Sequence, residues 1–152
     1  MVSPELLRRY PFFASLDEAQ LQAIAMLGEE KHYPQGAIIL QEEKPAEKLM
    51  LLLEGDVDLI YSGGGEGAVV NALVGSVATG EVLGVSSLIP PYRYICSARN
   101  NVPVRVVEFE ARHLREMMEK DHRLGYVLMS NTAAAVLELL KYTQVELAAA
   151  RA

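Results

Sequence analysis

Hydrophobic positions along the chain change their spacing twice. Near the N-terminus, Leu21, Ile24 and Ala25 share one helical face, and Gly28 follows where a helix would close. Ser15 and Glu18 have the spacing of a capping box, which predicts the start of that helix. Before it, Ser3-Pro4-Glu5 reads as an N-cap followed by proline at the first helical position, and Pro11 is expected to end this first short helix.

After Gly28 the apolar runs become short. Lys31–Tyr33, Ala37–Gln41, Leu49–Leu53, Val57–Tyr61, Ala68–Leu73, Ile95–Arg99 and Val104–Phe109 have strand character. Turn chemistry separates them: Pro34-Gln35-Gly36, Lys44-Pro45, Glu54-Gly55-Asp56, Gly63-Gly64-Gly65 and Asn100-Asn101. Seven or eight short strands at this spacing predict a sandwich or a jelly-roll barrel. Gly55 before Val57 suits a tight hairpin. Gly63–Gly67 reads as bare hairpin loop, because no Lys-Ser or Lys-Thr follows to make it a phosphate loop.

From Glu110 the period is helical again. One helix is expected over Glu110–Lys120, and Asp121 can cap a longer one running to about Ala150. On it Tyr126, Met129, Ala133, Val136, Leu140, Thr143 and Leu147 recur in steps of three and four, the spacing of a heptad seam. Such a seam either packs on the barrel or meets a partner helix. Val127, Leu128, Ala135, Leu139 and Tyr142 populate other faces, and a helix apolar on more than one side wants more than one neighbour. The expectation is therefore two units, residues 1–120 as the barrel domain and 121–152 as a helix that pairs two copies into a homodimer.

Composition narrows the partners. The chain has 152 residues, 51% of them hydrophobic, and a net charge of −6, which fits a globular domain and argues against nonspecific binding to nucleic acid or anionic membrane. No apolar run is long enough to span a bilayer, and the N-terminus lacks the order of a signal peptide. The single cysteine, Cys96, forms no internal disulfide, so a reducing, cytoplasmic location is expected. His32, His113 and His122 share no ligand spacing, and no nucleophile sits beside a base in a recognisable motif. Neither a metal site nor enzymatic activity is expected.

The succession of short helices, jelly-roll strands, a hinge helix and a long helix resembles the cyclic-nucleotide-binding domain of the catabolite activators and of the regulatory subunits of cyclic-AMP-dependent kinase. Four fragments carry the resemblance. Tyr10 to Leu16 (YPFFASL) is similar to the family's lead-in, and Pro34 to Ile39 (PQGAII) to its first hairpin. Leu49 to Val57 resembles its apolar strand closing in Gly-x-Val, and Val106 to Phe109 its last strand before the hinge. One departure is Glu43, where the family usually has glycine. The resemblance implies an α+β fold: a jelly-roll barrel of about eight antiparallel strands with short N-terminal helices, a small helix inserted in the barrel and a long C-terminal helix.

On this resemblance, residues 80–98 (GEVLGVSSLIPPYRYICSA) fall on the family's phosphate-binding cassette. Gly80-Glu81-Val82-Leu83-Gly84 matches its opening and Ser87-Leu88 its small residue and leucine. Gly84 would let backbone N–H groups approach an anion, and Ser86 and Ser87 would add hydroxyls. The family's recognition residues are replaced. Its ribose-binding Glu falls on Val85, its phosphate-binding Arg on Tyr94, and the following Ser or Thr on Ile95. Arg93 is one position away, where a strand would point it to the opposite face unless a bulge intervened. On the long helix, the turn that offers the base a hydroxyl holds Leu139-Leu140. The expected function is a non-catalytic regulatory or sensor module that does not bind cyclic AMP in the standard way, with no cofactor and a small anionic ligand as its candidate partner. The alternatives are a protein-interaction scaffold whose pocket is plugged by Tyr94 and Val85, and a cyclic AMP or cyclic GMP receptor using Arg93. No helix-turn-helix follows the long helix before Ala152, so the chain as given is not expected to bind DNA.

Overall fold

The computed structural model describes residues 1–63 and 71–152. Three short helices come first: α1 (Pro4–Arg8), α2 (Pro11–Ala14) and α3 (Glu18–Leu27). Eight strands follow, β1 (Glu29–Tyr33), β2 (Ile38–Leu40), β3 (Lys48–Glu54), β4 (Val57–Tyr61), β5 (Ala72–Val77), β6 (Val82–Leu83), β7 (Ser97–Asn100) and β8 (Val104–Glu110). A single 3₁₀ turn, Val85–Leu88, lies between β6 and β7. The chain ends in α4 (Ala111–Lys120) and the 29-residue α5 (His122–Ala150). The strands form two four-stranded antiparallel sheets, ordered β1-β8-β3-β6 and β2-β7-β4-β5. This is the jelly roll that the sequence predicts.

The apolar run of β3 is continuous because both of its faces are buried. Leu49, Leu51 and Leu53 face the helices, joined by Val107 and Phe109 of β8 and by Phe13, Leu21, Leu114, Leu124 and Leu128. Met50 and Leu52 face the barrel interior with Val57, Leu83, Tyr94, Ala98 and Val106. Alternation of side chains along a strand thus splits one hydrophobic run between two cores.

Several boundaries differ from the expectation. Pro11 does more than end a helix: it is the first residue of α2, where its missing N–H costs nothing. The capping box of α3 is Asp17 with Gln20, not Ser15 with Glu18; the Asp17 carboxylate accepts from the Gln20 N–H at 2.8 Å and the Gln20 side chain accepts from the Asp17 N–H at 2.9 Å. Gly28 does close the helix, but in extended geometry. It is needed for clearance, since a Cβ there would lie 2.8 Å from Val107 Cγ1. The run expected over Ala68–Leu73 becomes β5 at Ala72–Val77, in register with β4, while residues 64–70 lie outside the described part, and with them most of the expected Gly63–Gly67 loop. The strand expected over Ile95–Arg99 starts only at Ser97. Gly55, at φ +98°, makes the tight hairpin, and Glu43 takes the left-handed φ of +69° at the position where the related pattern has glycine.

Asp121 caps α5 as expected, accepting from the Leu124 N–H at 3.1 Å, and its other oxygen takes a hydrogen bond from Gln20 on α3 at 3.1 Å. These bonds, the cap first, hold its carboxyl below the ordinary value of 3.8. A lowered folded-state value means that the cap's stabilisation is present above the unfolded value and lost as pH falls through the folded one. Asp121→Asn keeps an acceptor at the cap but cannot titrate. Acid unfolding followed by circular dichroism is expected to begin at lower pH in Asp121→Asn than in the wild type; coincident profiles would show that this cap does not report on pH.

Candidate ligand-binding site

A cavity of about 830 Å³ lies between the barrel and α5. One wall is built by β5, β6 and the turn after it, including Gly80, Gly84, Val85 and Ser86; the segment Arg93–Cys96 closes one side, and α5 covers it from Asn131 to Glu146. Of the residues singled out from the sequence, Gly80, Gly84, Val85, Ser86, Arg93 and Tyr94 all line this space. Ser87 does not: it is fully buried, and its hydroxyl has no hydrogen-bond partner.

Gly84 is the fulcrum of the turn. Its φ is +82°, and a Cβ there would stand 2.6 Å from the Lys48 carbonyl oxygen. Only glycine combines that backbone geometry with that approach to β3. The backbone of the same Lys48 is gripped by Tyr94, whose hydroxyl donates to the Lys48 carbonyl at 2.8 Å and accepts from the Lys48 N–H at 3.0 Å. The ring is 7% exposed and belongs to the barrel core. Burial, chiefly, raises the phenol above its ordinary value, so it stays neutral. Both polar functions of the phenol are therefore spent on the protein's own backbone.

Arg93 is exposed, and its Nη1 donates to the Glu43 carbonyl at 2.8 Å. Its backbone bridges Pro45. The Val85 side chain presents no hydrogen-bonding group, and Ile95 is 61% exposed at the rim. The Cys96 thiol lines the cavity half-buried, and burial, with the nearby Glu42 charge, pushes its pKa up to about 11.

Two features escaped the sequence reading. The first is Arg115 on α4. Its Nη1 donates to the Ser87 carbonyl at 2.5 Å, and its guanidinium lies 4.1 Å from the centroid of the Tyr92 ring. One side chain thus ties α4 to both ends of the Ser87–Tyr92 segment. The second is Thr132, which joins Leu128, Ala135, Leu139 and Tyr142, already read as apolar positions off the seam, in one inner stripe of α5. Leu128, Thr132, Ala135, Leu139 and Tyr142 are buried or half-buried, and Ala135, Leu139 and Tyr142 line the cavity. A Cβ on Gly75 would lie 2.6 Å from Leu139 Cδ1, so the helix rests directly on β5. Their spacing of four, three, four and three was the available signal. By contrast, Tyr126, Met129, Ala133, Val136, Leu140, Thr143 and Leu147 are all exposed.

A jelly roll that closes a cavity against a long helix, with a glycine-hinged turn tethered to a second helix, is the architecture of a regulatory or sensor domain. The family model of the cyclic nucleotide-binding domain matches residues 30–121, and the chain belongs to that family. A protein of Geobacter metallireducens whose crystal structure carries the same family name is 52% identical over 92% of this chain and 99% of its own, with a TM-score of 0.82. The regulatory subunit of a cAMP-independent protein kinase A from Trypanosoma brucei is similar at 19% identity, over 94% of this chain and 49% of its own, with a TM-score of 0.75. The sensor domain of the transcriptional regulator DNR from Pseudomonas aeruginosa is similar at 16% identity, over 88% and 92%, with a TM-score of 0.71. No curated protein sequence matches the chain. As a cyclic nucleotide-binding domain, the module is regulatory and non-catalytic. Among the described residues no helix is long and apolar enough to cross a membrane, and no cluster of side chains could hold a metal ion.

Proposed function

We propose that this domain is a ligand-sensing regulatory module, paired as a homodimer through the 121–152 helix, whose cassette does not hold cyclic AMP in the standard way. The observation that carries this reading is Tyr94. At the position where the related pattern has the phosphate-binding arginine stands a buried phenol, bonded twice to the Lys48 backbone. Arg93 is a poor substitute, since it is already engaged by the Glu43 carbonyl. Val85 supplies no acceptor for a ribose hydroxyl. A charge-assisted pair to phosphate is worth roughly 1.5–3 kcal/mol, and its loss together with the ribose contact weakens cyclic AMP by orders of magnitude. Similarity to a cAMP-independent kinase subunit, of which a triple mutant is bound to cAMP, agrees with this reading. The open cavity favours a sensor over a scaffold with a plugged pocket. Because Arg115 couples the cassette loop to α4, a ligand that favours one loop position favours one helix position, which is a population shift.

Thermal-shift titration tests the reading. A ligand at a hundred times its Kd would raise the melting temperature of a domain this size by about 5–10 °C. Cyclic AMP and cyclic GMP at about a millimolar are expected to give no such shift. A saturable shift that disappears in Arg93→Ala would overturn the proposal and make the domain a cyclic nucleotide receptor using Arg93.

A further inference from the structure

The chemistry of the cavity's occupant follows from what its walls have left to offer. Five charged side chains line it, the cations Arg93 and Lys141 and the carboxylates Glu81, Glu138 and Glu146, so the wall is net negative by one formal charge. Arg93 donates to the Glu43 carbonyl, and Lys141 lies 3.5 Å from Glu138. Glu81 accepts the Ala78 N–H at 2.7 Å. The Asn131 amide donates to the Phe12 carbonyl at 2.9 Å. The Tyr94 hydroxyl is spent on Lys48. What remains toward the interior is mostly hydrocarbon, Val77, Leu83, Val85, Ile89 and Leu139, with the hydroxyls of Ser76, Ser86 and Tyr142 as the polar exceptions and the exposed Val145 at the rim.

An anion entering this space would lose hydration and meet a wall without net positive charge, which is costly. An apolar molecule meets the reverse balance, because it leaves water and displaces none of the hydrogen bonds that the walls already make. The volume falls within the range of small-molecule sites, about 300–1,000 Å³. We infer that the cavity takes an uncharged, predominantly apolar small molecule, held between the cassette turn and the inner stripe of α5. This rests on the reading that the cassette does not hold a cyclic nucleotide, and it replaces the small anionic ligand expected from the sequence. Such an occupant touches barrel and helix together, so its binding is coupled to where α5 lies.

The neutral fluorescent probe N-phenyl-1-naphthylamine tests it on the full chain. Saturable uptake of one probe per chain is expected. Ala135→Phe, which fills the space from α5, is expected to weaken uptake at least tenfold. Met26→Glu, exposed on α3 and not lining the cavity, is expected to leave uptake unchanged. The chain has no tryptophan, so Val145→Trp places a single energy-transfer donor at the wall, and its emission is expected to fall in step with probe binding. That variant locates the probe even where Ala135→Phe fails to fold. Absence of saturable uptake, loss of uptake in Met26→Glu, or full uptake by folded Ala135→Phe overturns the inference while leaving the reading of the cassette standing. Displacement of the probe by cyclic AMP in an Arg93-dependent way would instead overturn that reading, and the inference with it.

Discussion

Tyr94→Ala is expected to destabilise the domain by about 3–5 kcal/mol, the range for removing a buried aromatic ring, against a total stability of about 5–15 kcal/mol. Two effects combine. The ring is part of the barrel core with Met50, Leu83 and Ala98, so its loss leaves a hole. Its hydroxyl also satisfies both the N–H and the carbonyl of Lys48, and that backbone would be left without these partners beside the Gly84 turn. Tyr94→Phe separates the two effects, keeping the ring and losing only the hydrogen bonds, at about 1–3 kcal/mol. Urea unfolding is expected to show a lower midpoint at unchanged slope in both variants. The phenol's raised pKa adds a signature: its contribution is present below the ordinary tyrosine value of 10.0 and is lost as pH rises above it toward the folded value. Tyr94→Phe should flatten that alkaline loss. A ligand-facing tyrosine would behave differently, and near-wild-type stability of Tyr94→Ala would refute the structural role given to it.

The sequence disclosed those features that depend on pattern alone. The LMLLL run of β3 required two buried faces, and it received them because strand parity divides its residues between two cores. Asp121 announced its cap because a short acceptor precedes a long apolar-periodic segment. The helix starting at Glu18 was found, yet its cap was misplaced, since Ser15 and Asp17 are both capable acceptors and only backbone geometry selects between them. β6, two residues long, carries no periodicity of its own and exists only by pairing with Met50 and Leu51. At the site, Val85 and Tyr94 were singled out by comparison with the family pattern, and both line the cavity. The partner of Tyr94 was not, because Lys48 lies 46 residues away and contributes only its backbone, which every residue possesses. Arg115 was hidden for a similar reason: it reaches a carbonyl and a ring brought near by the fold, and neither leaves a mark on its own helix.

Leu140→Glu combined with Val136→Glu is expected to turn a dimer into a folded monomer. Seven seam positions, from Tyr126 to Leu147, remain exposed on α5, with Val136 at the cavity rim and the Thr143 hydroxyl donating to the Val74 carbonyl at 3.3 Å, while the inner stripe faces the protein's own barrel and cavity. The seam holds Tyr, Met, Ala, Val, Leu, Thr and Leu, with no charged residue to repel an identical copy. A face of this kind is self-complementary, so a two-fold partner of the same chain satisfies it at every step of three and four. A 29-residue helix is about 43 Å long, enough for the whole seam to be covered at once. The double variant places four carboxylates across the proposed two-fold interface, each to be desolvated without a cation opposite. Its dissociation constant is expected to rise at least about 100-fold, or about 2.7 kcal/mol. Sedimentation equilibrium measures this directly, with circular dichroism confirming that the helix persists. Because neither substitution touches the inner stripe of Leu128, Thr132, Ala135, Leu139 and Tyr142, the barrel should keep its fold whether or not the copies separate. A wild-type chain that sediments as a monomer at about 100 μM, or a double variant that remains dimeric, would assign the exposed seam to some other occupant.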